Sequence, residues 1–137
     1  MRIFFDSSAF VKRYVREAGT DEVLALCDQA KELCLSGIAL VEIISAFCRL
    51  QREAHVSSSQ YRQLKSLLMT DIADAAISDL TPEVIRHSIN SLEGSVLRGM
   101  DALHIGSALA MEAELFVTAD AKQYAAALQA GLRVTQV

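Results

Sequence analysis

The sequence predicts an α/β fold with a mostly parallel sheet, and three observations carry that prediction. Short apolar runs rich in Phe, Ile, Leu and Val alternate with longer segments whose apolar residues recur every three or four positions. Strands that alternate with helices pair in parallel, because each crossover helix carries the chain back over the sheet. Finally, two of the strand-like runs lead into an aspartate: Ile3-Phe4-Phe5 into Asp6, and Leu115-Phe116-Val117 through Thr118-Ala119 into Asp120. Ligands of parallel sheets bind beyond the carboxyl ends of the strands, so this fold sets both acids on one rim.

In chain order, residues 2–5 read as a buried strand. Residues 7–16 read as a helix with Ser7 or Ser8 as its N-cap. Gly19-Thr20-Asp21 breaks it, and Thr20 or Asp21 caps a second helix over about 21–31. Residues 33–36 form a second strand. Residues 39–54 carry apolar side chains at 40, 43, 44, 47 and 50, which is helical spacing. Another helix opens among Ser57–Ser59. Residues 75–78 form a third strand, and Thr81-Pro82-Glu83 starts a helix with proline at its first position, running to about Leu92. Residues 100–113 are helical and 115–118 a strand. Residues 121–130 are a helix ended by Gly131, and residues 132–136 are the last strand.

The 137 residues fit one domain, 1–137, with a single core, and 52% of them are apolar. There is one proline and no low-complexity run to mark a linker. No apolar stretch approaches the roughly 20 residues of a membrane span. The three residues between Arg2 and Asp6 are too few for a signal-peptide core of about 7–15. The expectation is a soluble cytoplasmic protein with no membrane association. Three cysteines, odd in number and without metal-ligand spacing, suit a reducing compartment. A net charge of −4 argues against a generic nucleic-acid coating protein. It leaves room for an enzyme that touches nucleic acid locally.

Two further acids sit in apolar settings. Glu42 lies within Ala39-Leu40-Val41-Glu42-Ile43-Ile44, and Asp101 between Met100 and Ala102-Leu103. Burying a carboxylate without compensation costs several kcal/mol. Each acid has a plainer reading alone: Asp6 and Asp120 as helix caps, Glu42 on a solvated helix face, Asp101 as a charge favoured at a helix start. Four on one rim repel one another, and a divalent cation removes that conflict. Mg²⁺ and Mn²⁺ take oxygen ligands, and the chemistry such sites most often serve is phosphodiester hydrolysis.

With these residues in place, the chain resembles the PIN-domain ribonucleases, most closely the VapC-like toxins of toxin–antitoxin pairs. The resemblance covers essentially the whole chain. It rests on Asp6 with Ser8 two residues later, on the helix carrying Glu42, on the Arg98-Gly99-Met100-Asp101-Ala102-Leu103-His104 segment, and on Leu115 to Asp120. It implies a three-layer α/β/α domain with a central sheet of about four to five strands. It implies Asp6, Glu42, Asp101 and Asp120 as ligands of one or two Mg²⁺ or Mn²⁺ ions. Ser8 would support Asp6, and Thr118 would orient Asp120 or a metal-bound water. RNA cleavage leaving 5′-phosphate and 3′-hydroxyl ends, a homodimer and an inhibitory antitoxin partner are also implied. Gly106 departs from the commoner alanine, and Ala121 from a basic residue often found after the fourth acid.

Lys12, Arg13 and Arg16 are expected on one side of the first helix, where they would meet RNA phosphates or simply solvent. Arg98 would neutralise an acid or touch substrate. His104, one turn after Asp101, is expected in a structural or hydrogen-bonding role. The reading is a metal-dependent endoribonuclease and toxin. A housekeeping RNA-processing PIN nuclease and a non-catalytic α/β interaction domain are the alternatives.

Overall fold

The computed structural model describes residues 1–137. Five strands form one parallel sheet: β1 (Arg2–Phe5), β2 (Glu32–Ser36), β3 (Ala76–Ser78), β4 (Leu115–Thr118) and β5 (Val134–Gln136). Their spatial order is β3-β2-β1-β4-β5. The chain winds outward from β1 through β2 to β3, then returns to lay β4 on the other side of β1. The direction of winding therefore reverses between β1 and β4, where parallel sheets open a ligand crevice at their carboxyl ends.

Seven helices cover the sheet: α1 (Ser7–Phe10), α2 (Thr20–Gln29), α3 (Ile38–Arg52), α4 (Ser58–Asp74), α5 (Pro82–Gly94), α6 (Gly99–Ala110) and α7 (Ala121–Gln129). Strand side chains alternate between the two faces. Ile3, Phe5, Leu35 and Val117 pack with Phe10, Val23, Ile43, Phe47 and Leu68 from α1 to α4. Phe4, Cys34 and Phe116 point the other way, onto Ile105 and Ala108 of α6 and Ala126 and Ala127 of α7. The Phe4 and Phe116 rings stack at 5.5 Å. Full burial of side chains this size contributes about 1.5–3 kcal/mol each. The expected three layers and five strands are present.

The first helix is the main correction. A single α-helical turn ends at Phe10, and residues 11–13 continue as a 3₁₀ turn rather than a helix to 16. Its cap is Asp6, whose side chain accepts from the Ala9 N–H, not Ser7 or Ser8. The cap of α2 is also corrected. Gly19 takes that position with φ +94°, and the Thr20 hydroxyl instead donates to the Lys12 carbonyl at 2.9 Å. Other helix starts follow the sequence: Ser57 and Gln60 close a capping box before α4, and Thr81 caps α5 ahead of Pro82.

Gly106 has a packing reason. A Cβ there would lie 2.1 Å from Ser88 Oγ and 2.6 Å from the Val84 carbonyl oxygen of α5. The departure from alanine thus lets α6 lie closer to α5 than a methyl group would allow.

Candidate active site

The carboxyl ends of β1 and β4 lie side by side, with Phe5 in register with Val117 and the Asp6 N–H bonded to the Val117 carbonyl at 3.0 Å. Asp6 is 3% exposed. Its Oδ1 accepts from the Ser8 hydroxyl at 2.6 Å and the Ala9 N–H at 3.0 Å, and its Oδ2 from the Thr118 hydroxyl. Ser8 Oγ in turn accepts from the Ala119 N–H, and Thr118 Oγ1 from the Asp120 N–H. Ser8 thus bonds the Asp6 carboxylate directly. Thr118 bonds the Asp6 carboxylate and the Asp120 backbone, not the Asp120 carboxylate. Burial pushes the Asp6 carboxyl above its usual value, against the opposing electrostatic pull of His104 and the Ser8, Thr118 and Ala9 bonds.

Glu42 reaches the same end of the sheet from α3, just after the Ser36-Gly37 turn that ends β2. Its Oε1 accepts from the Ser7 hydroxyl at 2.7 Å and from His104 Nε2 at 2.6 Å, while Oε2 takes no bond from the protein. A carboxylate only accepts, so Nε2 carries the hydrogen. Burial works to raise the Glu42 carboxyl. The His104 and Ser7 bonds and the electrostatic pull of His104 outweigh it, leaving the carboxyl below its ordinary value.

Asp101 and Asp120 occupy the opposite side. Asp101 sits in the first turn of α6, and no hydrogen bond contributes to the state of its carboxylate. Burial raises its carboxyl, the negative charges of Asp120 and Glu42 raise it further, and His104 and Arg98 pull the other way. Asp120 caps α7, with Oδ1 accepting from the Gln123 N–H at 2.9 Å. The buried Gln123 amide also donates to the Asp101 backbone carbonyl at 3.0 Å, tying the two helix starts together.

One hollow is lined by Arg98, Asp101, Asp120 and Lys122, and a neighbouring one of about 620 Å³ by Glu42, Ser88, Met100 and Asp101. No three His, Cys, Asp or Glu side chains converge closely enough to enclose an ion by themselves. Mg²⁺ seldom uses such a cage: it keeps several waters and binds through one or two carboxylates. Unbonded carboxylate oxygens on Asp101 and Glu42 beside a further acid are a donor set that fits a hydrated divalent cation.

The PIN domain family profile matches residues 3–128. The chain belongs to the PIN-domain family. It is 31% identical over 134 residues to Ribonuclease VapC45 of Mycobacterium tuberculosis (strain CDC 1551 / Oshkosh), an alignment spanning 96% of this chain and 93% of that one. Its fold matches VapBC2 from Rickettsia felis bound to a DNA fragment from their promoter, with TM-score 0.70 and 17% identity over 100% and 99% of the two chains. It matches a toxin–antitoxin complex from Klebsiella pneumoniae with TM-score 0.70 and 14% identity over 97% and 95%.

Within this PIN domain the basic residues separate into two groups. The expected common face of Lys12, Arg13 and Arg16 is not formed, because α1 ends before them. Lys12 Nζ donates to the Ala18 and Val137 carbonyls. Arg13 pairs with Asp71 at 2.9 Å, and Arg16 with Asp21 at 3.0 Å. Arg98 and Lys122 both line the hollow with Asp101 and Asp120. Sequence reasoning missed Lys122, whose signal was its position two residues after Asp120. It also missed the roles of Ser7 and Gln123, which depend on partners 35 and 22 residues away.

Proposed function

We propose that this PIN domain, residues 1–137, hydrolyses RNA phosphodiester bonds with a divalent cation, Mg²⁺ or Mn²⁺, held by Asp6, Glu42, Asp101 and Asp120. The observation that carries this reading is Asp101: a carboxylate without a protein hydrogen bond, facing two more acids at the reversal point of a parallel sheet. A cation bound there would supply positive charge for the scissile phosphate and would acidify an attacking water.

The chain's own residues do the rest. Ser8, Thr118 and the Ala9 N–H hold Asp6 in one orientation. Gln123 sets Asp101 against Asp120. Arg98 and Lys122, both exposed at the mouth, are placed to bind the flanking phosphates of a single strand. Aromatic side chains are 6% of the chain and do not line the hollow, so backbone contacts dominate over base stacking.

In this reading the chain is the toxin of a toxin–antitoxin pair, acts in the cytoplasm and works as a homodimer with a cognate antitoxin. Family membership and the likeness to VapBC assemblies support the antitoxin partner. Exposed Ile85, Ile89, Leu92, Val96 and Met100 form an apolar stretch beside the acids, of the kind that protein partners cover. No helix is long and apolar enough to cross a membrane.

The test is cleavage of RNA by purified protein stripped with a chelator, then resupplied with Mn²⁺ or Mg²⁺, with Asp101→Asn in parallel. Cutting that returns with the metal and is absent in the variant is the expected result. Equal cutting by both proteins would contradict it.

A further inference from the structure

His104 is the one imidazole buried in this molecule, at 2% exposure, and the fold treats it unusually. Its ring meets Phe4 edge-on at 6.3 Å, on the same sheet face as the Phe4–Phe116 stack. Its Nδ1 is buried with no hydrogen-bond partner. An unsatisfied buried polar atom costs about 1–3 kcal/mol, so stability alone would favour an apolar side chain at position 104. The compensating contact is on the other nitrogen: Nε2 donates to Glu42 Oε1 at 2.6 Å, and Ser7 Oγ donates to the same oxygen at 2.7 Å.

Both donors converge on one oxygen of Glu42, and Ser7 Oγ lies 3.3 Å from His104 Nε2, closing a compact three-residue cluster. The Glu42 side chain is 31% exposed, on a helix with a hydrophobic core face, and would sample several rotamers without an anchor. Fixing Oε1 removes that freedom and leaves Oε2 as the unbonded acceptor. The three residues come from separate elements, α1, α3 and α6, and all lie at the carboxyl end of the sheet.

We infer that His104, seconded by Ser7, is a positioning residue that locks Glu42 so that Oε2 alone is presented to the cation. This rests on the nuclease reading above and assigns to His104 a task beyond packing. Partners that orient a metal ligand typically contribute about 10–100-fold to metal affinity. A purely structural histidine would contribute to melting temperature and nothing to affinity.

The experiment is calorimetric titration of the full chain with Mn²⁺ alone, together with metal-free melting curves, for the wild type, His104→Phe, His104→Gln and Ser7→Ala. His104→Phe keeps a flat ring and removes the donor, while His104→Gln returns an N–H donor to a similar place. The expected result is Mn²⁺ binding about 10–100-fold weaker in His104→Phe, largely regained in His104→Gln, and about 3–10-fold weaker in Ser7→Ala. Should His104→Phe fail to fold, Ser7→Ala decides, because it leaves the core untouched. Variants that bind Mn²⁺ within about two-fold of the wild type would overturn the inference and leave the nuclease reading standing. A wild type that takes up no Mn²⁺ would overturn both.

Discussion

The two sides of the acid cluster are built differently. Asp6 and Glu42 are anchored: five hydrogen bonds from Ser7, Ser8, Ala9, His104 and Thr118 end on their oxygens. Asp101 and Asp120 are open, with one bond between them, from the Gln123 N–H. The anchored pair sits where β1 and α3 leave the sheet and is made with the core. The open pair sits at the starts of α6 and α7, facing the hollow with Arg98 and Lys122. In the proposed nuclease, one side of the site is completed by the protein, and the other would be completed by a cation and a phosphate.

Substitutions at each side should break this contrast in opposite ways. Losing a residue that merely supports a ligand costs about 10–100-fold, so Asp101→Asn is expected to lower RNA cleavage by ~100-fold or more. Its metal-free melting temperature should hold or rise slightly, since a carboxylate repelled by Asp120 is gone. Asp6→Ala should abolish cleavage equally and also leave the Ser8 and Thr118 hydroxyls and the Ala9 N–H without their acceptor. At about 1–3 kcal/mol for an unsatisfied buried group, its melting temperature should fall by several degrees. Paired melting curves and cleavage rates check both outcomes.

A smaller effect is expected behind the open side. Gly106→Ala forces a methyl group against Ser88 and Val84 of α5. Overpacking of this kind costs about 1–3 kcal/mol, read as a lower melting midpoint. Because α6 carries both Asp101 and His104, cleavage should fall as well, by less than in Asp101→Asn.

The basic residues give the smallest and sharpest comparison. Arg98→Ala and Lys122→Ala should raise KM a few-fold and leave melting unchanged. Arg13→Ala breaks the half-buried pair with Asp71, which also accepts from the Tyr14 hydroxyl. It should lower stability by about 1 kcal/mol and leave KM unchanged. Steady-state kinetics alongside denaturation separate the two groups.

Much of this was legible in the sequence because it is local. The strands are short apolar runs, the caps at Ser57 and Thr81 are three-residue patterns, and the acids stand out against apolar neighbours. What was not legible depends on distant partners. Residues 7–16 carry a helical composition, yet the helix becomes a 3₁₀ turn after Phe10. Lys12 and Arg13 there bond to Val137 and Asp71, 125 and 58 residues away. The same limit hid the tie between Glu42 and His104, separated by 62 residues. Gly106 is apparent in sequence as a departure, but its reason lies on α5.

The central claim is that four acids from four elements form one cation site, with the open side waiting for charge. The direct measurement is the shift in melting temperature of the metal-free protein on adding Mn²⁺ at neutral pH, compared between the wild type and Asp101→Asn. Ligand at 100 times its dissociation constant stabilises a folded state by about 2.7 kcal/mol, which for a chain of this size is a rise of several degrees. The account predicts that rise in the wild type and its near-complete loss in Asp101→Asn. A wild type indifferent to Mn²⁺, or a variant that rises equally, would contradict it.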